Sequence, residues 1–376
     1  MSGVSVLERN AEVGAATLGA WFARDPELRT RYRRFRRIAF GIAGSNYDIS
    51  RTCNLTCEGC LFFEGSDYLA HLDDKDDAQW DAFFASEAAR GVNFAYLAGA
   101  EPALRPERLH IAARHIKRGV VFTNGTIAID PALPYRLHVS LWGNVEDTVR
   151  LRGGSSYDKA FRLYGKDPRA IFIYTVNAQN LGGVWGAAER CAATGAKLSF
   201  SIFSPTEQYR DKLAAGVTAD GDYFRISSAA AHLAPDAAML AEIRATLGEV
   251  AAAFPDTVIY APAYNQWVTN PDSLYQIDPE TGWATDCETR RAPYFRHVRT
   301  DLTTSDSKCC SPNIDCRDCR AYSMASGTAV SRFRRFAATY QGFRDWMDIA
   351  EQWCALFLRE GPEPTPFTRP ESAPRA

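Results

Sequence analysis

The 376-residue chain has no apolar run approaching the roughly 18 residues of a membrane span, and its N-terminus has no apolar signal core. Those two absences argue against spanning and secreted classes and make the cytoplasm the expected location. It also lacks a charge excess. With 43 Lys and Arg against 45 Asp and Glu, the formal charge is -2, so neither nucleic acid nor an anionic membrane is an expected partner. A disulfide framework is not indicated either, although there are ten cysteines. Eight of them fall into two local groups, a pattern that favours metal ligation in a reducing compartment. Cys191 and Cys354 lie outside both groups and read as core thiols. An apolar content of 46% in a chain of this length suffices for one large domain with a smaller appendage.

The first cysteine group is Arg51-Thr-Cys-Asn-Leu-Thr-Cys-Glu-Gly-Cys60, a Cys-x3-Cys-x2-Cys array of Cys53, Cys57 and Cys60. Three thiolates hold three irons of a [4Fe-4S] cube and leave one iron open to a chelating cofactor or substrate. A closed zinc site needs a fourth ligand, and no further Cys or His follows within ten residues. Around this array, β-rich segments recur at about 40–50, 94–98, 119–123, 136–142, 170–177 and 197–203, with helical patterns such as 77–90 and 185–194 between them. Such alternation predicts parallel βαβ units, and six of them fit an α/β fold with a partial (β/α)6 TIM-like barrel. The chemistry-bearing residues follow the strands: Cys53 the first, Gly99-Ala-Glu-Pro102 the second, Thr123-Asn-Gly125 the third, Ser140 the fourth and Asn177 the fifth. Barrel sites form at that end.

The array is similar to the cluster loop of the radical S-adenosylmethionine (SAM) superfamily. That resemblance implies a [4Fe-4S] cluster on Cys53, Cys57 and Cys60 whose open iron is chelated by SAM. The reduced cluster cleaves SAM to a 5′-deoxyadenosyl radical, which abstracts hydrogen from substrate, with flavodoxin or ferredoxin as reductant. The resemblance covers about residues 45–205. It implies that Gly99, Ala100, Glu101 and Pro102 stand for a Gly-Gly-Glu-Pro motif, with Glu101 toward the SAM ammonium. Thr123 and Asn124 would lie near the SAM methionine, Ser140 near the ribose, and Asn177 or Asn180 near the carboxylate or adenine. Leu151-Arg-Gly-Gly-Ser-Ser-Tyr-Asp-Lys-Ala160 resembles the Arg-Gly loop of a branch that includes the molybdopterin-precursor cyclases and peptide-modifying enzymes. The sequence departs at Gly59, where the family usually has an aromatic residue, and at Ala100, where it has Gly; Phe62 or Phe63 is a nearby ring.

The second group holds Cys287, Cys309, Cys310, Cys316 and Cys319. Four thiols in this arrangement suit zinc or a second cluster equally. Downstream of such a barrel the group resembles the auxiliary-cluster region of SPASM and twitch members, which implies an auxiliary [4Fe-4S] cluster. Cys309 and Cys310 are adjacent and point apart on a strand, so the expected ligand set is Cys287, Cys310, Cys316 and Cys319. The expected organisation is an N-terminal helical segment over 1–39, the barrel core over 40–205, a connecting α/β region over 206–285, the cysteine-rich region with a helix over 286–358, and a disordered tail over 359–376. The basic run Arg29–Arg37 reads as a solvated helix face, and the aromatics Tyr260, Tyr264 and Trp267 as core.

The reaction type after hydrogen abstraction is open. With only residues 1–39 before the first strand there is little room for a winged-helix peptide-recognition module, so the expected substrate is a small molecule in natural-product or cofactor assembly. The alternatives are an enzyme modifying a ribosomal peptide, or a non-catalytic iron–sulfur or zinc protein on the same barrel. No residue is singled out as hydrogen donor or general base.

Overall fold

The computed structural model describes residues 15–63, 72–216, 219–220, 224–225, 231–305 and 314–359. All but the first residue of the expected tail, and Cys309 and Cys310, lie outside the described residues. In chain order the elements are α1 (Ala15–Arg24), α2 (Pro26–Ala39), β1 (Gly44–Ser50), α3 (Asp77–Ala89), β2 (Phe94–Gly99), α4 (Pro106–His115), β3 (Gly119–Thr123), β4 (Arg136–Leu141), α5 (Val145–Arg152), α6 (Tyr157–Tyr164), β5 (Ala170–Val176), α7 (Val184–Thr194) and β6 (Lys197–Ile202). There follow α8 (Glu207–Ala214), a ribbon of β7 (Ala219–Asp220) and β8 (Phe224–Arg225), α9 (Ala237–Ala253), α10 (Pro262–Val268), α11 (Glu288–Arg291), β9 (His297–Val298), β10 (Thr304–Ser305), α12 (Tyr322–Ser331), α13 (Phe333–Phe336) and α14 (Tyr340–Phe357).

One sheet runs in the order β10-β9-β1-β2-β3-β4-β5-β6. Strands β1 to β6 are successive parallel neighbours, as the βαβ pattern predicts, and β9 adds a seventh parallel strand on the far side of β1. At the other edge Leu198 of β6 bridges Val258 in parallel, so the curl extends one step past β6 after the α9 crossover.

Side chains alternate across each strand. Tyr47 and Ile49 face the outer layer, where Tyr47 packs on Phe84 of α3 with ring centroids 4.9 Å apart. Asn46 and Asp48 face the barrel interior, where they line a cavity. Helix starts are locally encoded: Asp76 and Gln79 form a reciprocal capping box on α3, and Asp236 caps α9. The lower interior is closed by α14. Its Trp353, Leu356 and Phe357 cluster with the inward-facing Phe94, Val120, Ile171 and Ile173. The same helix packs outward on the N-terminal pair through Phe343, Trp346 and Met347 against Leu28, Trp21 and Phe22. Tyr260 and Tyr264 are buried core residues, as expected. No described helix is long and apolar enough to cross a membrane.

Candidate functional site

The first cysteine loop follows β1 directly. Its sulfurs sit among N–H donors: Leu55 N at 3.4 Å and Asn124 Nδ2 at 3.6 Å from Cys53 Sγ, and Arg152 Nε at 3.3 Å from Cys57 Sγ. Cys60 Sγ receives the backbone N–H groups of Phe63 and Phe62. Burial pushes the Cys53 thiol up to about 11. It pushes Cys60 up to about 12, with the neighbouring Cys57 charge adding to the effect. Among the described residues no three His, Cys, Asp or Glu side chains close on a single-ion site. Three sulfurs on one loop, faced by N–H donors, suit three irons of an iron–sulfur cube.

Gly59 has a physical reason. Its φ is +61°, and a Cβ there would lie 2.5 Å from the ring of Phe203, at the end of β6. The ring of Phe203 therefore fills the space a side chain at 59 would take, and Phe203 lines the cavity with Phe62, whereas Phe63 is buried.

The loops after β2 and β3 are knotted together by Glu101, which is 1% exposed. Its Oε1 accepts from Ala103 N at 3.0 Å and Thr123 Oγ1 at 2.8 Å, and its Oε2 from Asn124 N at 2.7 Å. Burial raises the carboxyl above its ordinary value, and these hydrogen bonds oppose the shift. Ala100 N and Glu101 N donate to Ser50 O and Thr52 O, which fastens this loop to the cysteine loop. Pro102 opens a single buried turn. Gly99, at φ +110°, approaches Ser50 so closely that a Cβ would meet its carbonyl oxygen at 2.8 Å. Asn124 bridges onward, donating to Asn54 Oδ1 at 2.8 Å.

These groups open onto a cavity of about 560 Å3 inside the barrel, lined by all three cysteines and by Gly99, Ala100, Glu101, Thr123, Asn124 and Ser140. Asn177 is not among the lining residues. It is fully buried in a turn, its Oδ1 accepting from Gln179 N at 2.9 Å while its own backbone N–H donates to Asn180 Oδ1 at 2.8 Å; Thr175, two residues earlier, reaches the cavity instead.

One wall of the cavity was not legible in the sequence. Asp48 Oδ2 lies 2.8 Å from His297 Nε2, a pair 249 residues apart joined by the β1–β9 register. Beside it the Nδ2 of Asn46, 1% exposed, has no hydrogen-bond partner among the described residues. Its only sequence signal is a polar residue at every second position of a buried strand, Asn46-Tyr-Asp-Ile-Ser50.

In the second group, Cys287 precedes α11, and Cys316 and Cys319 lie on the segment that enters α12. Cys287 and Cys319 converge on Tyr275: Tyr275 OH is 4.0 Å from Cys319 Sγ, and the Tyr275 hydroxyl pKa is raised first by burial and then by the charges of Cys319 and Cys287. Thr328 Oγ1 adds a contact of 3.8 Å to Cys287 Sγ. This region lies against the end of β6, with Asp315 N bonded to Pro205 O and Arg320 N to Ser204 Oγ.

No protein-family model matches the sequence, and no curated protein matches it. The structure is similar to that of Streptococcus suis SuiB bound to precursor peptide SuiA, at a TM-score of 0.50 and 13% identity, covering 77% of this chain. SuiB bound to S-adenosylmethionine gives 0.48 and 12% over 78% of this chain and 69% of that one, and SuiB alone 0.48 and 14% over 81% and 68%. The chain spans 64% of the length of peptide-bound SuiB. The expectation of a small-molecule substrate is corrected by this likeness, because SuiB was solved holding a precursor peptide. The chain has the partial-barrel α/β fold of SuiB.

Proposed function

We propose that this chain is a radical SAM enzyme that modifies a ribosomally made precursor peptide. The observation that carries the reading is that Cys53, Cys57 and Cys60, on one loop at the C-terminal end of β1, line the interior cavity of a barrel shared with a peptide-bound protein. When bound, a [4Fe-4S] cluster with SAM at its open iron supplies a 5′-deoxyadenosyl radical for hydrogen abstraction. Cys53, Cys57 and Cys60 hold three irons. Asn124 and Arg152 donate to the ligating sulfurs. Glu101, which ties together the loops carrying Gly99, Ala100 and Thr123, faces the SAM ammonium, and Ser140 lies on the same rim toward the ribose. Asn46 and Asp48 offer a donor and an acceptor to a peptide amide inside the barrel, with His297 holding Asp48 in place. Cys287, Cys316 and Cys319, with Cys310, hold a second cluster beside the mouth. Thiol ligation of this kind belongs in the reducing cytoplasm.

Anaerobic reconstitution with iron and sulfide, followed by dithionite and SAM, tests the reading. Wild type should release 5′-deoxyadenosine and the Cys53/Cys57/Cys60→Ala variant none. Small peptides encoded beside the gene, incubated with the enzyme, should change mass. SAM cleavage that persists in the triple variant defeats the cysteine assignment, and absence of cleavage in the iron-loaded wild type makes the chain a non-catalytic iron–sulfur protein.

A further inference from the structure

Arg152 is a buried cation, 4% exposed, that forms no ion pair with a carboxylate among the described residues. Its Nε donates to Cys57 Sγ at 3.3 Å and its Nη1 to Ser140 O at 2.8 Å. Its backbone is tied to the cysteine loop on both sides of Cys57: Thr56 N donates to Arg152 O at 3.0 Å and Glu58 N to Leu151 O at 2.8 Å. Gly153, at φ +71°, ends α5 immediately afterwards, so the guanidinium is fixed where the helix stops. A buried charge held this firmly requires a counter-charge; the buried Glu101 carboxylate feels its field, and Cys57 Sγ, to which it donates directly, is a ligand of the proposed cluster. Cys53 and Cys60 receive neutral donors from Asn124 and from backbone amides; among the described donors, Cys57 receives a charged one.

We propose that Arg152 sets the reduction potential of the cluster held by Cys53, Cys57 and Cys60. This rests on the cluster assignment above. A hydrogen bond to a ligating thiolate withdraws electron density from it, and a fixed positive charge favours the state that carries the added electron; both make the potential less negative. The charge therefore eases the reduction step on which cofactor cleavage depends. Asn124 and the backbone donors set a baseline that Arg152 raises.

The test uses the full-length reconstituted protein without SAM, following by redox titration and electron paramagnetic resonance the signal that disappears in the Cys53/Cys57/Cys60→Ala variant. Arg152→Gln keeps an N–H donor and removes the charge, and its midpoint should move to a more negative potential at wild-type iron content. Arg152→Lys keeps the charge without the planar fork and should fall between the two. An unchanged midpoint in an iron-replete Arg152→Gln protein overturns the proposal. If Arg152→Gln takes up no iron, Arg152→Lys decides: a midpoint no lower than wild type overturns it, and a negative shift supports it. Failure of wild type to bind a cluster would instead defeat the cluster assignment.

Discussion

At the scale of single residues, backbone conformation and burial dominate. Gly59→Ala places a Cβ at positive φ against Phe203, a strain of about 1–3 kcal/mol; iron content at the first site should fall, as colorimetric iron assay will show. Asp48→Asn and His297→Gln each replace one member of the hydrogen-bonded pair on the cavity wall. Each should weaken peptide modification about 10- to 100-fold while 5′-deoxyadenosine release persists, measured by mass spectrometry of both products. His138 is fully buried, accepting from or donating to Tyr322 OH at 2.6 Å and Leu356 O at 2.9 Å. Burial, with Arg136 adding repulsion, pushes it down to about 3 from 6.5, against the Leu356 bond. The folded state therefore binds fewer protons between those values, and stability should be lost as pH falls from about 6.5 toward 3, by up to ~1.4 kcal/mol per pH unit. Urea unfolding of wild type and His138→Gln across that range checks this, the variant showing the shallower decline. That the three cysteines, Glu101 and Asn124 line one cavity was legible because each stands in a short motif at a strand end. Asp48 and His297 were not, since each is unremarkable until β1 and β9 lie side by side. Phe203 was hidden for the same reason: it fills the place of residue 59 from the end of another strand.

Among the elements, β1 to β6 were legible from their apolar alternation and turn punctuation, whereas β9 and β10 have two residues each and are too short for any period to register. The helix over 333–358 was expected, but it divides into α13 and α14 where Thr339 caps the longer piece. Its role inside the barrel was not visible, because an amphipathic stripe does not say which surface covers it. Phe357, 1% exposed, stacks on Tyr322 at 5.9 Å and meets His138 at 5.2 Å. Phe357→Ala should cost about 3–5 kcal/mol, measured as a lowered denaturation midpoint with the m-value unchanged.

For the whole molecule, the expected cysteine-rich region over 286–358 contributes β9 and β10 to the main sheet and α14 to the barrel interior, which sequence spacing alone did not convey. If Cys287, Cys316, Cys319 and Cys310 hold a second cluster, reconstituted wild type should contain about twice the iron of the Cys53/Cys57/Cys60→Ala variant, two four-iron clusters against one; zinc in that variant would make the region a structural clasp. The pairing of Asn46 with His297 has a consequence for biogenesis. During synthesis the strand that carries the cysteine loop remains an open edge until some 250 further residues have left the ribosome, and the barrel floor waits for α14 later still. The long sequence separation makes closure a late event. Until then the three thiols stand on an unfinished rim, more open to solvent and to metal donors than in the finished fold.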